Sequence, residues 1–446
     1  MQDDPQRGCI FLSISRDSAR IAVDMTKKLD LVTDTNIISR FLTRAVENVY
    51  PTPEKLGELL ASGNRITVYL GIDPTGPSLH LGHAIAIRKL AELQKMGHHI
   101  ILLIGDFTAM IGDPTDKTAT RKQMTREEVL ANCKNYKQQA SKFLDFDGPY
   151  AAELKFNSEW LAKMSFQDVI ELAAHFTVQQ MLERDMFEKR IEEGKPIYFH
   201  EFLYPLMQGY DSVAMNVDLE IGGNDQTFNM LAGRTFLREM KQKEKFVLTT
   251  KLLTDPTGKK MGKTEGNMIT LADEATDMYG KVMSWTDGMI VPGFELCTDV
   301  SDNEIRDIQS RIADGENPVI FKRRLAHEIV ATFVSKKAAD EAETHFAQVH
   351  QKHEVPEDIQ VYKVSARGVL PRRIRLGRRS AMGGQSPKSK VIDVLVECGL
   401  VASRNEARRQ IEQGGVKING EVVHDGTMMV TAWSVIQKGK RHFVRL

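Results

Sequence analysis

The spacing of apolar residues predicts a strand, a helix and a second strand in the segment that begins at Arg65. The runs RITVYLGID and HIILLIGDF are typical of buried strands, and the intervening HAIAIRKLAELQKMG has apolar residues at helical spacing and ends on Gly97. A strand, a helix and a strand in that order form a right-handed parallel unit. Further helices are predicted over residues 126–144, 166–190, 203–217 and 226–242, with short strands near Leu154, at Leu219–Gly222 and at Phe246–Thr250. The pattern predicts an α/β fold, an open parallel sheet with helices on its faces.

The last third of the chain has a different pattern. Between about residues 300 and 350 the apolar spacing is helical without intervening strands, which predicts a small α-helical domain. A stretch rich in Gly, Pro, Ser and Arg continues to Lys388 and predicts a basic linker, because it has little to bury. Beyond it, Ser403 and Glu406 predict a helical capping box, and Asn419-Gly420 predicts a hairpin turn. This last region is therefore predicted to be a compact α+β module of two helices and a hairpin.

These patterns divide the chain into five parts. No periodic pattern starts before Met25, so we expect an N-terminal extension that lies outside the folded domains and is disordered. The predicted boundaries are 1–30 for this extension, 31–285 for the α/β domain, 286–365 for the α-helical domain, 366–389 for the basic linker and 390–446 for the α+β module.

Charge is distributed unevenly although the chain carries 60 Lys and Arg and 60 Asp and Glu. From Val361 to the end there are 17 basic and 6 acidic residues, which predicts a polyanionic partner for the C-terminal region. The longest aliphatic run, Ile100 to Ile104, is far shorter than the roughly 18 residues of a membrane span. The N-terminus lacks the basic start and apolar stretch of a secretion signal, so we expect a cytoplasmic protein without membrane contact. The four cysteines have neither metal-ligand nor redox spacing, which predicts neither a disulfide nor a zinc site.

Two histidines mark the junction of the first predicted strand and helix. The phrase YLGIDPTGPSLHLGH places His80 and His83 on either side of Gly82. Free N–H groups and the helix dipole attract anions at such a junction, and two imidazoles one turn apart can donate to the same phosphate. Gly82 would let a nucleotide approach the backbone closely. The same spacing also fits one exposed histidine and one locally capped histidine.

Two further segments follow predicted strands at the edge where parallel sheets bind ligands. In IGDPTDKTATR, Asp113 can hold a cationic amine, while Lys117 and Arg121 can meet phosphate charge. In EIGGNDQ, Asp225 and Gln226 follow the glycines at the start of a helix. An ordinary turn with surface charges remains the alternative for the first segment.

Two other segments carry polar groups on a helix and on a loop. Tyr204, Gln208 and Asp211 are spaced i, i+4 and i+7, so that they share one helix face, which is either a binding surface or simply the solvent-facing side. In TDPTGKKMGKTEGN, Lys260 and Lys263 lie on a glycine-broken loop that could close over developing phosphate charge or be a solvated turn. All five segments in this order are unlikely to occur together by chance.

The motif HLGH, with KMGKT about 180 residues later, resembles the HIGH and KMSKS signatures of class I aminoacyl-tRNA synthetases. The intervening residues resemble the bacterial tyrosyl-tRNA synthetase family from about Leu31 to Thr286, and the last 60 residues resemble an RNA-binding module of a small-subunit ribosomal protein. The resemblance implies a Rossmann-like catalytic domain with inserted dimerisation helices and a helical domain on the anticodon side. It also implies tyrosine, tRNA(Tyr) and ATP with Mg²⁺ as partners, in a homodimer.

The resemblance further implies a role for individual residues. For tyrosine, Tyr69 and Asp211 would bind the phenol, Asp113, Tyr204 and Gln208 the ammonium group, and Gln226 the carboxylate, with Asp73 nearby. ATP would contact Gly71, His80, Gly82, His83, Asp225 and Lys263, with Asp225 on the ribose. Catalysis at the phosphates would fall to His80, His83, Lys117, Arg121, Lys260, Lys263 and Thr264. The exposed basic residues expected on tRNA are Lys388, Lys390, Arg404, Arg408, Arg409 and Lys417. No set of metal ligands is expected.

The sequence departs from the family pattern at a few positions. Gly262 and Thr264 replace the two serines of the loop signature, and Leu70 stands where some relatives carry a cysteine. Tryptophan activation by the sister enzyme is the nearest alternative, and Asp211 with Tyr69 argues against it. An RNA-binding protein that keeps this body without activity is another alternative, whereas a simple adenylyl transferase leaves the C-terminal module unexplained.

Overall fold

The computed structural model describes residues 31–114, 124–183, 185–255, 268–351, 360–365, 368–371, 389–430, 434–439 and 442–446. The predicted N-terminal extension, most of the basic linker, and the site residues Lys117, Arg121, Lys260, Lys263, Thr264 and Lys388 lie outside these ranges.

The first sheet has six strands, which are β1 (Val46–Tyr50), β2 (Thr67–Ile72), β3 (His99–Ile104), β4 (Glu153–Phe156), β5 (Leu219–Gly223) and β6 (Phe246–Thr250). Their order is β1-β6-β5-β2-β3-β4, and all neighbours are parallel except β1 and β6. From β2, the chain first extends the sheet to one side with β3 and β4. It then returns to the other side of β2 with β5 and β6, so the strand order reverses between β2 and β5. Ligands bind at the carboxyl ends of strands at such a switch point. This is the predicted parallel α/β sheet.

Helices surround this sheet: α1 (Thr35–Thr43), α2 (Pro53–Ala61), α3 (Leu81–Lys95), α4 (Thr108–Ile111), α5 (Arg126–Cys133), α6 (Tyr136–Ala140), α7 (Ser158–Leu161), α8 (Phe166–Ala173), α9 (Val178–Leu182), α10 (Asp185–Glu192), α11 (Phe199–Met215) and α12 (Thr227–Lys241). The predicted helix over 166–190 is wrong in extent, because Ser165 and Thr177 each begin a new helix with a capping box. The predicted helix over 126–144 is likewise two short helices, α5 and α6.

An all-helical region follows, as the sequence predicted. It contains α13 (Ala275–Met283), α14 (Ile290–Cys297), α15 (Asp302–Ala313), α16 (Pro318–Phe333) and α17 (Lys336–Gln351). Its apolar residues, among them Phe294, Leu325 and Ile329, belong to the same buried cluster as the residues that cover one face of the sheet. This region is therefore packed onto the α/β body and shares its core.

The C-terminal module has a separate core, with Val391, Leu395 and Ile411 at its centre. Its elements are β9 (Ser389–Lys390), α18 (Val391–Glu397), α19 (Arg404–Glu412), β10 (Val416–Ile418), β11 (Glu421–Val422), β12 (Met429–Val430), β13 (Val435–Lys438) and β14 (His442–Arg445). The predicted hairpin turn is confirmed, since Asn419 and Gly420 both have positive φ, 52° and 92°. The predicted capping box forms only in part, because Glu406 accepts from the backbone of Ala402 and not of Ser403.

Two strands extend the C-terminal sheet beyond the predicted module. β7 (Gln360–Ser365) pairs in parallel with β14, and β8 (Gly368–Pro371) pairs with β7, which gives the order β11-β10-β13-β14-β7-β8. The sequence predicted no strand at these positions and assigned them to the helical domain and the linker. Among the described residues, no helix is long and apolar enough to cross a membrane.

Candidate active site

The proposed tyrosine and nucleotide residues gather at the carboxyl ends of β2, β3 and β5. Tyr69 and Gly71 lie on β2, Asp73 follows it, and Asp225 and Gln226 lie in the 3₁₀ turn between β5 and α12. Helix α11 crosses this edge and carries the polar face that the spacing predicted. Tyr204 and Asp211 on that face are buried, so this face is not the solvent-facing side of the helix.

Asp211 is a buried carboxylate held by two donors. Its exposed fraction is 2%, and its Oδ1 accepts from Trp160 Nε1 at 2.7 Å while its Oδ2 accepts from Asn157 Nδ2 at 3.3 Å. Burial raises the pKa of Asp211 well above its ordinary value. The hydroxyl of Tyr69 shares a hydrogen bond of 3.0 Å with Ser212, and burial raises the pKa of Tyr69 as well. The buried Asp211 carboxylate and Tyr69 hydroxyl can therefore form hydrogen bonds with a hydroxyl group of a ligand at this end of the site.

A second carboxylate, Asp73, lies at the other end of the same network. Its Oδ2 accepts from the Tyr204 hydroxyl at 2.8 Å, and its Oδ1 accepts from the Thr108 hydroxyl at 2.7 Å. Asn157 donates to both Thr108 and Asp211, which links the two carboxylates through one amide. A Cβ at Gly105 would lie 2.0 Å from Asp73 Oδ1, so only glycine fits there.

The remaining amide and carboxylate residues form two further sets of hydrogen bonds. Gln226 donates from Nε2 to Asp113 Oδ2 at 2.7 Å and accepts from Asn229 at 2.9 Å. Gln208 donates from Nε2 to Glu220 Oε1 at 3.0 Å. Such fixed amides and carboxylates are suited to bind the ammonium and carboxylate groups of an amino acid.

His80 and His83 stack on each other at the start of α3, with ring centroids 3.8 Å apart. The backbone N–H of His80 donates to His83 Nδ1 at 3.2 Å, so the neutral ring of His83 carries its proton on Nε2 and donates from there. A Cβ at Gly82 would lie 3.0 Å from the His80 ring, which explains the glycine between them. Both rings therefore stand at a helix N-terminus, where phosphate oxygens are attracted.

The chain that follows the lysine-rich loop is hydrogen-bonded to the histidine segment. The Leu81 amide donates to the Ile269 carbonyl at 3.1 Å, and the Leu271 amide donates to the Leu79 carbonyl at 2.8 Å. The loop itself, with Lys260, Lys263 and Thr264, lies outside the described residues, as do Lys117 and Arg121. The histidine motif and the segment from Ile269 to Leu271, which follows the loop, are thus neighbours in space.

The basic residues expected on tRNA lie on the surface of the C-terminal module. Lys390, Arg404, Arg408 and Arg409 are exposed, Lys417 is half-buried, and Lys388 is outside the described residues. Arg404 pairs with Asp393 at 2.8 Å. In the described part of the chain, no group of three His, Cys, Asp or Glu residues could hold a metal ion.

Sequence reasoning missed five residues that shape the site, namely Thr108, Asn157, Trp160, Glu220 and Lys245. Asn157 directly follows β4, so the rule that selected Asp225 and Gln226 after β5 could have found it. Glu220 lies on β5, and Lys245 directly precedes β6. Their contact depends on the pairing of β5 with β6, which sequence spacing does not predict.

Two family models cover most of the chain. The model described as tRNA synthetases class I (W and Y) matches residues 61–351, and the tyrosine–tRNA ligase SYY-like C-terminal domain matches residues 381–446. The tyrosine–tRNA ligase of Moorella thermoacetica is 44% identical over 415 residues, which cover 91% of this chain and 95% of that protein. The tyrosine–tRNA ligase of Thermotoga maritima is 42% identical over 411 residues, covering 91% and 96%.

Solved structures give the same result for the fold. A C-terminally truncated mitochondrial tyrosyl-tRNA synthetase of Coccidioides posadasii has a TM-score of 0.56 at 26% identity, covering 69% of this chain and 91% of that chain. The tyrosyl-tRNA synthetase of Archaeoglobus fulgidus complexed with L-tyrosine has a TM-score of 0.55 at 22% identity and covers 70% and 100%.

Proposed function

The chain belongs to the tyrosine–tRNA ligases among the class I aminoacyl-tRNA synthetases, and from this premise we propose how its residues divide the work of the enzyme. The enzyme joins tyrosine to ATP as tyrosyl-adenylate with release of pyrophosphate, and then transfers tyrosine to the 3′-terminal adenosine of its tRNA. Tryptophan activation and an inactive RNA-binding protein, the two alternatives from the sequence, fit less well than tyrosine activation, because the relatives are tyrosine–tRNA ligases.

The buried network between Asp211 and Asp73 carries the proposed tyrosine site. Asp211, with Tyr69, accepts the substrate phenol, and the donors Trp160 and Asn157 hold the carboxylate in place. Asp113, Tyr204 and Gln208 bind the ammonium group, while Gln226 orients the carboxylate and Asp73 fixes Tyr204. A buried hydrogen-bond network with a carboxylate at each end fits the two polar ends of an amino acid with a phenolic side chain.

The proposed phosphate site lies on the other side of the substrate carboxylate. Gly71 and Gly82 allow close approach of ATP, Asp225 binds the ribose, and His80 and His83 donate to phosphate. Lys117, Arg121, Lys260, Lys263 and Thr264 complete this set as a proposal from the sequence, since they lie outside the described residues. The substrate carboxylate attacks the α-phosphate, and pyrophosphate leaves. Acceleration then comes from orienting the reactants and stabilising charge on the leaving group.

Four further properties are part of the proposal. Mg²⁺ enters with ATP on its phosphates, because the described residues offer no carboxylate cluster for it, and no step is assigned to the ion. The homodimer is supported by large apolar side chains exposed over residues 166–199, among them Phe166 and Phe199.

The cytoplasm is the proposed location, because tRNA charging supplies translation there. The boundary between 285 and 286 stays a proposal, whereas the proposed range 286–365 is shortened, because β7 (Gln360–Ser365) pairs with β14 and belongs to the C-terminal sheet.

The replacement His83→Ala tests the phosphate role. We expect the rate of tyrosyl-adenylate formation in single turnover to fall at least about tenfold, because a donor to the transition-state phosphate is lost. The dissociation constant of tyrosine should change by less than about twofold, because His83 contacts the phosphate and not the bound amino acid. His327→Ala is the matched control, because His327 pairs with Asp340 far along the chain from the site. An unchanged rate with weaker tyrosine binding would show that His83 serves the amino acid and not the phosphate.

A further inference from the structure

A fully buried ion pair lies beneath the proposed tyrosine site and has no role in the assignments above. Glu220 on β5 is 2% exposed, and Lys245, which directly precedes β6, is 0% exposed. Lys245 Nζ donates to Glu220 Oε2 and to the carbonyl oxygen of Met230. A buried ion pair is weak support for stability, because apolar residues of similar volume are often as stable or more so. The pair therefore needs another explanation.

Glu220 has a second partner in the site. Its Oε1 accepts from Nε2 of Gln208 at 3.0 Å, while its Oε2 is held by Lys245. An ionised carboxylate can only accept, so the side chain of Gln208 must turn its NH₂ group toward Glu220. The amide carbonyl of Gln208 then points away from Glu220 and offers an acceptor.

The surroundings hold this arrangement tightly. A Cβ at Gly233 would lie 2.6 Å from Lys245 Nζ, so helix α12 carries glycine where the ammonium group approaches. Burial lowers the pKa of Lys245, and Glu220 opposes that shift. Lys245 also lies 5.8 Å from the centre of the Tyr69 ring, which places the pair against the proposed phenol residue.

We propose that Glu220, held by its ion pair with Lys245, is a positioning residue that fixes the amide of Gln208 with its carbonyl oxygen toward the ammonium group of tyrosine. The proposal rests on the ammonium role proposed for Gln208. A glutamine amide can present either its oxygen or its NH₂ group, and only the oxygen binds a cation. A neutral partner at position 220 accepts either orientation, so the selection depends on the charge of Glu220.

The test compares two analogues of tyrosine, of which the first lacks the carboxylate and the second lacks the ammonium group. Tyramine keeps the phenol and the ammonium group, whereas 3-(4-hydroxyphenyl)propionate keeps the phenol and lacks the ammonium group. The double variant Glu220→Gln with Lys245→Met removes both charges and leaves no unpaired buried ion. We expect tyramine to bind about tenfold more weakly to this variant, as for the loss of one charge-assisted hydrogen bond, and the propionate to bind within about twofold of wild type.

Controls separate this proposal from the one on which it rests. Glu244→Gln removes a neighbouring carboxylate that pairs with Arg234 at the surface, and it should change neither ligand. Gln208→Ala should weaken tyramine alone. If Gln208→Ala weakens both ligands equally, the ammonium role of Gln208 is wrong and the proposal falls with it. If Gln208→Ala is selective and the double variant is not, the positioning role of Glu220 alone is wrong. Thermal unfolding confirms that each variant is folded.

Discussion

Asp211 shows how a buried carboxylate can serve specificity. Trp160 and Asn157 supply two donors, yet burial still raises the pKa of Asp211. A phenolic hydroxyl would stabilise a carboxylate in this position by donating a further hydrogen bond. A ligand without a hydroxyl group leaves the carboxylate short of a hydrogen-bond donor. Discrimination between tyrosine and phenylalanine should therefore depend on this residue.

Replacing Asp211 by Ala should reduce the preference for tyrosine over phenylalanine at least about tenfold, because no buried acceptor remains for the phenol. Trp160→Phe keeps the carboxylate and removes one of its donors, and an intermediate loss is expected. The measurement is kcat/KM for ATP–pyrophosphate exchange with each amino acid. An undiminished preference in Asp211→Ala would show that another residue reads the phenol.

The residues of the site also show which features the sequence could predict. The spacing of Tyr204, Gln208 and Asp211 predicted their shared face, because residues i, i+4 and i+7 of a helix lie on one side. That this face is buried, and that Glu220 meets Lys245, depends on which strands and helices pack together. Sequence spacing contains helical periodicity and lacks this long-range information.

Among the secondary-structure elements, helix α14 has its C-terminus held by a buried arginine, Arg44, which directly follows helix α1. Arg44 donates to the carbonyl oxygens of Phe294, Thr298 and Val300, at 3.2, 2.8 and 2.5 Å, and it pairs with Asp302 at 3.1 Å. A cation at a helix C-terminus satisfies carbonyl groups that lack partners in the helix and complements the helix dipole. This contact joins the α/β body to the helical region.

The replacement Arg44→Met should lower the free energy of unfolding by about 3 kcal/mol, because several buried carbonyl groups lose their donor. Arg311→Met is the matched control: Arg311 pairs with Asp307 and Glu316 at the surface, so a loss of at most about 1 kcal/mol is expected. Urea unfolding followed by circular dichroism measures both. Equal losses in the two variants would mean that Arg44 does not join the two regions.

Element boundaries were harder to predict than element types. Every strand predicted between β2 and β6 is present, because continuous apolar runs are a strong signal. The helix predicted over 166–190 is broken where Thr177 and Gln180 form a capping box, a signal that the sequence does contain. β7 was missed, because it lies between the helical region and the predicted basic linker and gains its partner from β14 at the end of the chain.

At the scale of the whole molecule, exposed apolar side chains bear on the proposed homodimer. Phe166 and Phe199 are 80% and 78% exposed, and Val178, Ile170 and Ile191 lie in the same stretch of chain. Exposed apolar surface of this kind marks interaction sites. The double variant Phe166→Glu with Phe199→Glu should sediment as a monomer where wild type sediments as a dimer. Val319→Glu, at an exposed apolar residue of α16, is the control, and dissociation by this control alone would place the interface elsewhere.

A separate C-terminal core and an uneven charge distribution divide the molecule between its two reactions. Of the proposed activation residues, those that the structure describes lie in the α/β body, whereas the C-terminal module has its own core. Residues 361–389, which precede the module, carry 8 of the 17 basic residues of the C-terminal region and none of its 6 acidic residues, so most of the basic excess lies there. Contacts of Lys and Arg with phosphates release counterions, so tRNA binding through the module should weaken steeply as salt rises. Activation should therefore be complete without the module, whereas charging of tRNA requires it.

The most direct test removes the module and measures both reactions. The cut belongs after Gln351, at the end of α17, because β7 and β8 are part of the C-terminal sheet. Exchange of pyrophosphate with ATP in the presence of tyrosine, and charging of tRNA, are measured for the full chain and the shortened chain at two salt concentrations. We expect nearly unchanged exchange and a strong loss of charging, with a shallower salt dependence of the remaining tRNA binding. Loss of exchange in a folded shortened chain, or charging equal to that of the full chain, would contradict this expectation.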